Sequence, residues 1–416
     1  MTPVLRITAP SASLTLGLGL LTLVALGCQS EQLGRMGDDT PLSDRASDLQ
    51  GLPLRPVWRR QPRPTSHTTS RGQERAGAAY DRAGNRLYIG STDGWFGCLR
   101  ATDGATIWET HITGGVRGHA VLHRGRVYVG TDAGNLVALN AYTGKQEWAY
   151  RVQGAITQPP VFDHSTVFFV DGSNAVYALS ASSGAWKWQH RREAPARFSV
   201  AGESGVTVAD GRVHLGFSDG TLLTLSADDG AVLWSRDLAE KGVEFRDVDA
   251  TPVLIGGTLF SASLAGGLYA LDPATGIPRW RRTMTNVVAL QRFDGDLIAS
   301  RATGEIHRID PTTGATKWRT AIGGKAGPPG HIVPLGSALT FAVPRGGLYV
   351  LDGATGRPRG RFRPGSGIEG RPTTGADGRL FIMSEAGILY AFAPDERWIR
   401  VGPTHPLSAS PGRGLR

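Results

Sequence analysis

Side chains at spacings suited to chemistry are few in this 416-residue sequence. Asp247 and Asp249 are two residues apart, which places both carboxylates on one side of an extended segment. A carboxylate pair works as general acid and base when a neighbour shifts one member, and no activating neighbour stands out here. His119 and His123 are four apart, the spacing of a helical zinc pair. Their local sequence reads as a strand and its edge, where that geometry does not apply. Cys28 and Cys98 are the two cysteines, so neither a CxxC pair nor a disulfide framework is available. Asp103-Gly104 and Asp229-Gly230 read as turns. No Ser-His-Asp set or phosphate loop stands out. The expectation is a chain with no catalytic residues, no metal site and no bound cofactor. The role of Asp247 and Asp249 then depends on the elements that carry them.

Those elements repeat. The clearest copy is Arg126 to Tyr150, RVYVGTDAGNLVALNAYTGKQEWAY. Val127-Tyr128-Val129 suits a pleated surface, Asp132 to Asn135 is a turn, and Leu136 to Leu139 is a second apolar run. Thr143-Gly144 is a second turn, and Trp148 follows. Ala120-Val121-Leu122 upstream completes four antiparallel strands. The Gly-x-x-x-Trp signature recurs at Gly104/Trp108, Gly144/Trp148, Gly184/Trp188, Gly230/Trp234, Gly276/Trp280 and Gly314/Trp318. A seventh copy, Gly356 to Gly360, has lost the Trp, and an eighth runs from Arg379 to Trp398. Second strands are expected near Arg86, Arg126, Thr166, Arg212, Thr258, Asp296, Ala338 and Arg379. A period near 40 with four strands per unit marks propeller blades. The fold class is all-β, an eight-bladed β-propeller of four-stranded antiparallel blades. Blade faces are covered by neighbouring blades, which explains why Leu136 to Leu139 is apolar throughout. Each Trp is expected on an outer strand, wedged against the next blade. Cys98 aligns with Ala138 and Ala178 and reads as a small buried filler.

The connections are uneven. From each Trp to the next second strand the count is 18, 18, 24, 24, 16 and 20. Equivalent connections emerge on one face, so the two long ones form a neighbouring pair of loops, a common binding surface on repeat proteins. They carry Arg197-Phe198-Ser199-Val200-Ala201-Gly202-Glu203-Ser204 and Phe245-Arg246-Asp247-Val248-Asp249-Ala250-Thr251-Pro252. Apolar anchors with a polar rim fit a protein-docking patch.

The formal net charge is +9, but basic residues are scattered with no run of five, so nucleic acid is not an expected partner. Residues 1–27 read as a signal peptide, with an apolar Leu14–Leu26 core too short to span a bilayer. Ala25-Leu26-Gly27-Cys28 resembles a bacterial lipoprotein signal, which implies lipidation of Cys28. Gln29 in place of Asp then implies outer-membrane sorting, with the protein lipid-anchored on the periplasmic face. Residues 28–54 read as a tether, residues 55–400 as the propeller and residues 401–416 as a disordered tail. Pro56-Val57-Trp58-Arg59 reads as a strand that closes the ring against the last blade, with Trp398 competing for the same role.

The repeats resemble the PQQ-like (quinoprotein-type) propeller repeat, in which blades end in a Thr-Gly-Lys-x-x-Trp-like run. Thr143-Gly144-Lys145-Gln146-Glu147-Trp148 fits it. Within that group the chain resembles the BamB-like outer-membrane lipoproteins of the β-barrel assembly machine. Asp247-Val248-Asp249-Ala250-Thr251-Pro252-Val253 matches that family's Asp-Val-Asp-x-Thr-Pro-Val run. Phe198-Ser199-Val200-Ala201-Gly202-Glu203-Ser204 stands where the family has Leu-Ser-Leu-Arg-Gly-Glu-Ser. The resemblance implies a non-enzymatic scaffold that docks on the periplasmic POTRA domains of the BamA-type barrel subunit. Phe198, Val200, Ala201, Asp247 and Asp249 would then be the contact residues, with Ala201 replacing an arginine. Two alternatives are a periplasmic propeller that binds another protein or a small ligand, and a PQQ-dependent dehydrogenase. The second would need an adjacent Cys pair and Ca²⁺ ligands, and the chain has no Cys-Cys.

Overall fold

The structure, a computed structural model, describes residues 52–62, 74–192, 204–239, 246–322 and 327–395. The chain divides into Met1–Thr40 and Pro41–Arg416, and the description concerns the second unit. Among the described residues, 32 strands form eight four-stranded antiparallel sheets. Blades 1 to 7 are built from consecutive strands, as in blade 2: Val121–His123, Arg126–Gly130, Asn135–Asn140 and Gln146–Arg151. Observed second strands begin at Arg86, Arg126, Thr166, Arg212, Thr258, Asp296, Ala338 and Leu380. Only the last departs from expectation, by one residue.

Burial follows the blade stacking. Leu136, Val137, Ala138 and Leu139 are all 0–2 % exposed, because each face of the blade meets a neighbouring blade. Outer strands alternate instead, as Gln146–Arg151 and Trp186–Arg191 do, because one face meets solvent. Cys98 is fully buried and pairs across the sheet with Trp108, as Ala138 pairs with Trp148 and Ala178 with Trp188.

The Gly-x-x-x-Trp signature acts between blades. Trp58, Trp108, Trp148, Trp188, Trp234, Trp280 and Trp318 each donate an indole hydrogen bond of 3.0–3.2 Å to a carbonyl of the following blade. The acceptors are Ala101, Ala141, Ala181, Ala227, Pro273, Pro311 and Gly353, each three residues before that blade's turn glycine. The glycine itself lies under the ring. Gly184 has φ of +70°, and a Cβ there would fall 2.7 Å from Trp148 Cε3. Glycine therefore meets two demands at once, a left-handed backbone and ring contact.

Blade 8 joins the two chain ends. Thr373–Thr374, Leu380–Met383 and Leu389–Pro394 supply three strands, and Leu54–Arg60 pairs with the last as the outer strand. The closing strand is the one that carries Trp58, and Trp398 lies outside the described residues. Leu52 and Leu54 are 6 % and 3 % exposed in a cluster with Leu380 and Phe392, so packing reaches into the segment expected to be tether. The lost Trp at position 360 also has a reason. Gly360 pairs with Val350 where other blades pair a Trp. The next blade's third and outer strands come from opposite chain ends, so no connecting turn exists there to receive a ring.

Candidate functional site

The connection from each outer strand to the next inner strand descends along the channel wall in a fixed register. Five residues before the inner strand, an aliphatic side chain covers the preceding second strand. Val116 sits over Gly90, Ile156 over Gly130 and Val248 over Gly216, and none of these glycines has room for a Cβ. Val116, Ile156 and Val248 are at most 1 % exposed. The long blade 4–5 connection thus ends in the same register as the short ones, and that register fixes Asp247 and Asp249.

Asp247 is 1 % exposed. Its carbonyl accepts from Leu264 N at 2.9 Å, as Gly115 O accepts from Asp132 N and Ala155 O from Gly172 N. Asp249 is half-buried and occupies the register of Arg117 and Glu369, which line the central channel. Burial, reinforced by the Asp247 charge, raises the Asp249 carboxyl to about 7. Beside them, Arg246 donates to Asp237 at 2.5 Å, and its carbonyl accepts from Ser263 Oγ at 3.0 Å. Of the two carboxylates, Asp249 keeps surface for a partner, whereas Asp247 lies in the wall beneath.

The two long connections meet at their inner-strand ends, where shorter connections also meet, as Gly77 N donates to Gly118 O. The inserted residues 193–203 and 240–245 lie outside the described residues. Gly205 N donates to Thr251 Oγ1 at 2.8 Å, and Thr207 Oγ1 donates to Pro252 O at 2.5 Å. Ser204 Oγ, 6 % exposed within its residue, accepts from Gly216 N at 3.2 Å. Cys28, Phe198, Val200, Ala201 and Phe245 lie outside the described residues.

Sequence reasoning missed the channel. A cavity of about 630 Å³ runs from these connections to blades 7, 8, 1 and 2. Two residues ahead of the inner strand, blades 2, 7 and 8 carry His119, His331 and Arg371. The same register holds Gly77, Pro159, Gly205 and Thr251 in blades 1, 3, 4 and 5, and, counted from the pairing with the second strand, Ala289 inside the longer inner strand Val287–Phe293 of blade 6. Confinement in the channel, together with the Arg371 charge, lowers His119 to about 3 and His331 to about 4. His119 is half-buried, whereas His331 keeps exposed surface, so the downward direction is the firmer at His119. The available signal was positional: the repeat register shows these basic residues sharing one level of the wall. Among the described residues, no three His, Cys, Asp or Glu side chains gather as a metal-ligand set. No helix there is long and apolar enough to cross a membrane.

Eight four-stranded blades, sealed by glycine–tryptophan seams, define a propeller of the PQQ-like repeat class. Within that class, the chain belongs to the BamB family: the family model described as "Outer membrane protein assembly factor BamB" matches residues 93–320 and 302–406. BamB of Vibrio cholerae is 34 % identical over 93 residues, covering 21 % of this chain and 24 % of that protein. BamB of Escherichia coli K12 is 30 % identical over 94 residues, covering 21 % and 24 %. The chain thus spans about a quarter of the length of the curated relatives it matches. The crystal structure of BamB from Moraxella catarrhalis superposes with a TM-score of 0.70 at 21 % identity, covering 82 % of this chain and 99 % of that one. A quinohemoprotein alcohol dehydrogenase from Comamonas testosteroni superposes at 0.63 with 14 % identity, covering 89 % and 80 %. At these identities the structural likenesses establish the fold alone.

Proposed function

We propose that this chain is a non-enzymatic scaffold of outer-membrane β-barrel protein assembly. It docks on the periplasmic POTRA domains of a BamA-type subunit through its blade 3–4 and blade 4–5 connections. A lipid on Cys28 holds it at the periplasmic face of the outer membrane. The observation that carries the reading is that the two long connections are neighbours, hydrogen-bonded at their inner-strand ends as the repeat register dictates. They hold the only two insertions of equal length in the array, in a chain of the BamB family. Asp249 is the contact carboxylate of this patch, with Phe198 and Val200 as apolar anchors and Ala201 between them and the rim. Asp247 acts from beneath, through its charge and its carbonyl bond to Leu264.

The test is capture of the barrel subunit from detergent-solubilised outer membranes by wild type, Asp249→Arg, and Phe198→Asp/Val200→Asp. Truncating central contacts of an interface weakens binding by at least about tenfold. Loss of capture by both variants, with far-UV circular dichroism unchanged, supports the reading. Undiminished capture by both variants overturns the site, and absence of the subunit from the wild-type sample overturns the partner. A Cys28→Ser chain recovered in the soluble periplasmic fraction checks the anchor.

A further inference from the structure

We infer that the central channel holds a built site for an oxyanion, a carboxylate or phosphate group on a small molecule, seated on Arg371 with His119 and His331 beside it. Three observations converge. First, the basic groups occupy one level of the wall and one arc, blades 7, 8, 1 and 2, with blade 1 contributing Gly77. A side chain at Gly77 would collide with His119 Nδ1 and lie 3.1 Å from the Arg371 carbonyl, so the glycine is what lets blades 8 and 2 converge there. Second, the arc faces a cavity of about 630 Å³, which exceeds the volume of a lone oxyanion and admits a larger molecule that bears one.

Third, the charges do not cancel. The other arginines on this cavity have acid partners: Arg75 is paired with Glu369, and Arg117 lies 3.5 Å from Asp132. Among the described residues, Arg371 has neither an ion pair nor a side-chain hydrogen bond, and burial alone lowers its guanidinium. His119 Nδ1 is buried with no hydrogen-bond partner. Arg371 is half-buried on the channel wall, and a guanidinium without a counter-charge favours an oxyanion, which it holds with two parallel N–H bonds. Each neutral imidazole adds one N–H donor, and its tautomer adjusts to the ligand. The opposite side of the cavity is lined by Pro159, Val170, Leu215 and Phe217, with one carboxylate, Asp171, already held by Gly154 N, Ser173 Oγ and Tyr177 Oη, and would meet the uncharged remainder of the ligand.

The experiment is calorimetric and NMR titration of the full soluble chain with inorganic phosphate and, separately, with succinate. Saturable binding of either is expected, and the stronger probe identifies the ligand's headgroup. Arg371→Gln weakens it about 10- to 100-fold, the range for a lost charge-assisted pair, and Arg371→Lys falls between. The His331 imidazole, held to about 4 in the empty channel, titrates at higher pH in the complex, a shift that a merely structural Arg371 would not produce. If Arg371→Gln does not fold, His119→Gln/His331→Gln is read in the same titrations, with at least about tenfold weaker binding expected. No saturable binding of either probe, or affinity unchanged in the folded variants, overturns the inference. Capture of the barrel subunit by Arg371→Gln remains at the wild-type level, so this site and the docking patch fail independently.

Discussion

The outer rim and the channel wall are built from the same eight repeats and treat equivalent positions in opposite ways. At the rim, seven seams carry the same tryptophan-to-carbonyl bond over the same glycine. At the wall, one register holds Gly77, His119, Pro159, Gly205, Thr251, Ala289, His331 and Arg371. A repeat protein needs identical seams, because each blade is stable only through its neighbours. It needs no identity where side chains meet the channel. Repetition therefore marks what holds the ring, and its failure marks where function can reside.

The sharpest way to break the comparison is at ring closure. Removing residues 1–62 strips the outer strand from blade 8 and leaves Leu389–Pro394 as an open edge. The loss exceeds about 5 kcal/mol, comparable with the stability of a whole domain, and the exposed edge promotes self-association. Urea unfolding and light scattering read both. A monomer with unchanged midpoint would show that the seams hold without closure.

Within a seam, Trp148→Ala removes a ring that is 9 % exposed and one of the two donors to Ala181 O, leaving the Tyr128 hydroxyl. A destabilisation of about 3–5 kcal/mol is expected from urea unfolding. Gly184→Ala attacks the same seam from the other side, through positive φ and the Trp148 ring, and costs about 1–3 kcal/mol. Trp186, 57 % exposed two residues from Trp188, provides the control: Trp186→Thr stays within about 0.5 kcal/mol of wild type.

The rim was legible in the sequence for the reason that makes these effects large. Gly144 and Trp148 recur at a fixed spacing because a backbone constraint and a ring contact recur, so pattern alone located the blades; edge pairing called for a closing strand but left Trp58 and Trp398 as alternatives, and only the sheet pairing selects Trp58. The wall was not legible. Arg371 and His119 are far apart in sequence, belong to no local motif and meet only because the ring returns on itself. Asp247 and Asp249 looked alike by alternation. Which of them is buried was set by Val248 docking over Gly216, a contact between sequence-distant strands.

The wall's smaller effect is one of pH. Burial raises the Asp249 carboxyl from its ordinary value of 3.8 to about 7 in the folded chain, so folding disfavours its ionised form. The sign follows from proton count: the folded state holds the extra proton, so wild-type stability falls as pH rises from about 4 to about 7. Asp249→Asn lacks this slope. The variant matches wild type at pH 4 and exceeds it by about 1–3 kcal/mol at pH 8, after allowance for partial solvent screening of the carboxylate. Parallel pH profiles for the two chains would mean that Asp249 is solvated and not part of the wall.

The smallest effect tests why the rim has an exception. Gly360 stands where a seam tryptophan would, facing a blade whose third and outer strands are not joined by a turn. If tryptophan stabilises only by covering a turn glycine and bonding the carbonyl three residues before it, Gly360→Trp finds neither partner. Its ring would gain partial contact with blade 8 and lose some of it to exposure, leaving stability within about 0.5 kcal/mol of wild type in urea unfolding. A gain above about 2 kcal/mol would mean that ring burial against any neighbouring blade is enough, and that the glycine and carbonyl are incidental. The absence of both partners at one seam makes this the single position where the two contributions separate without disturbing an existing contact.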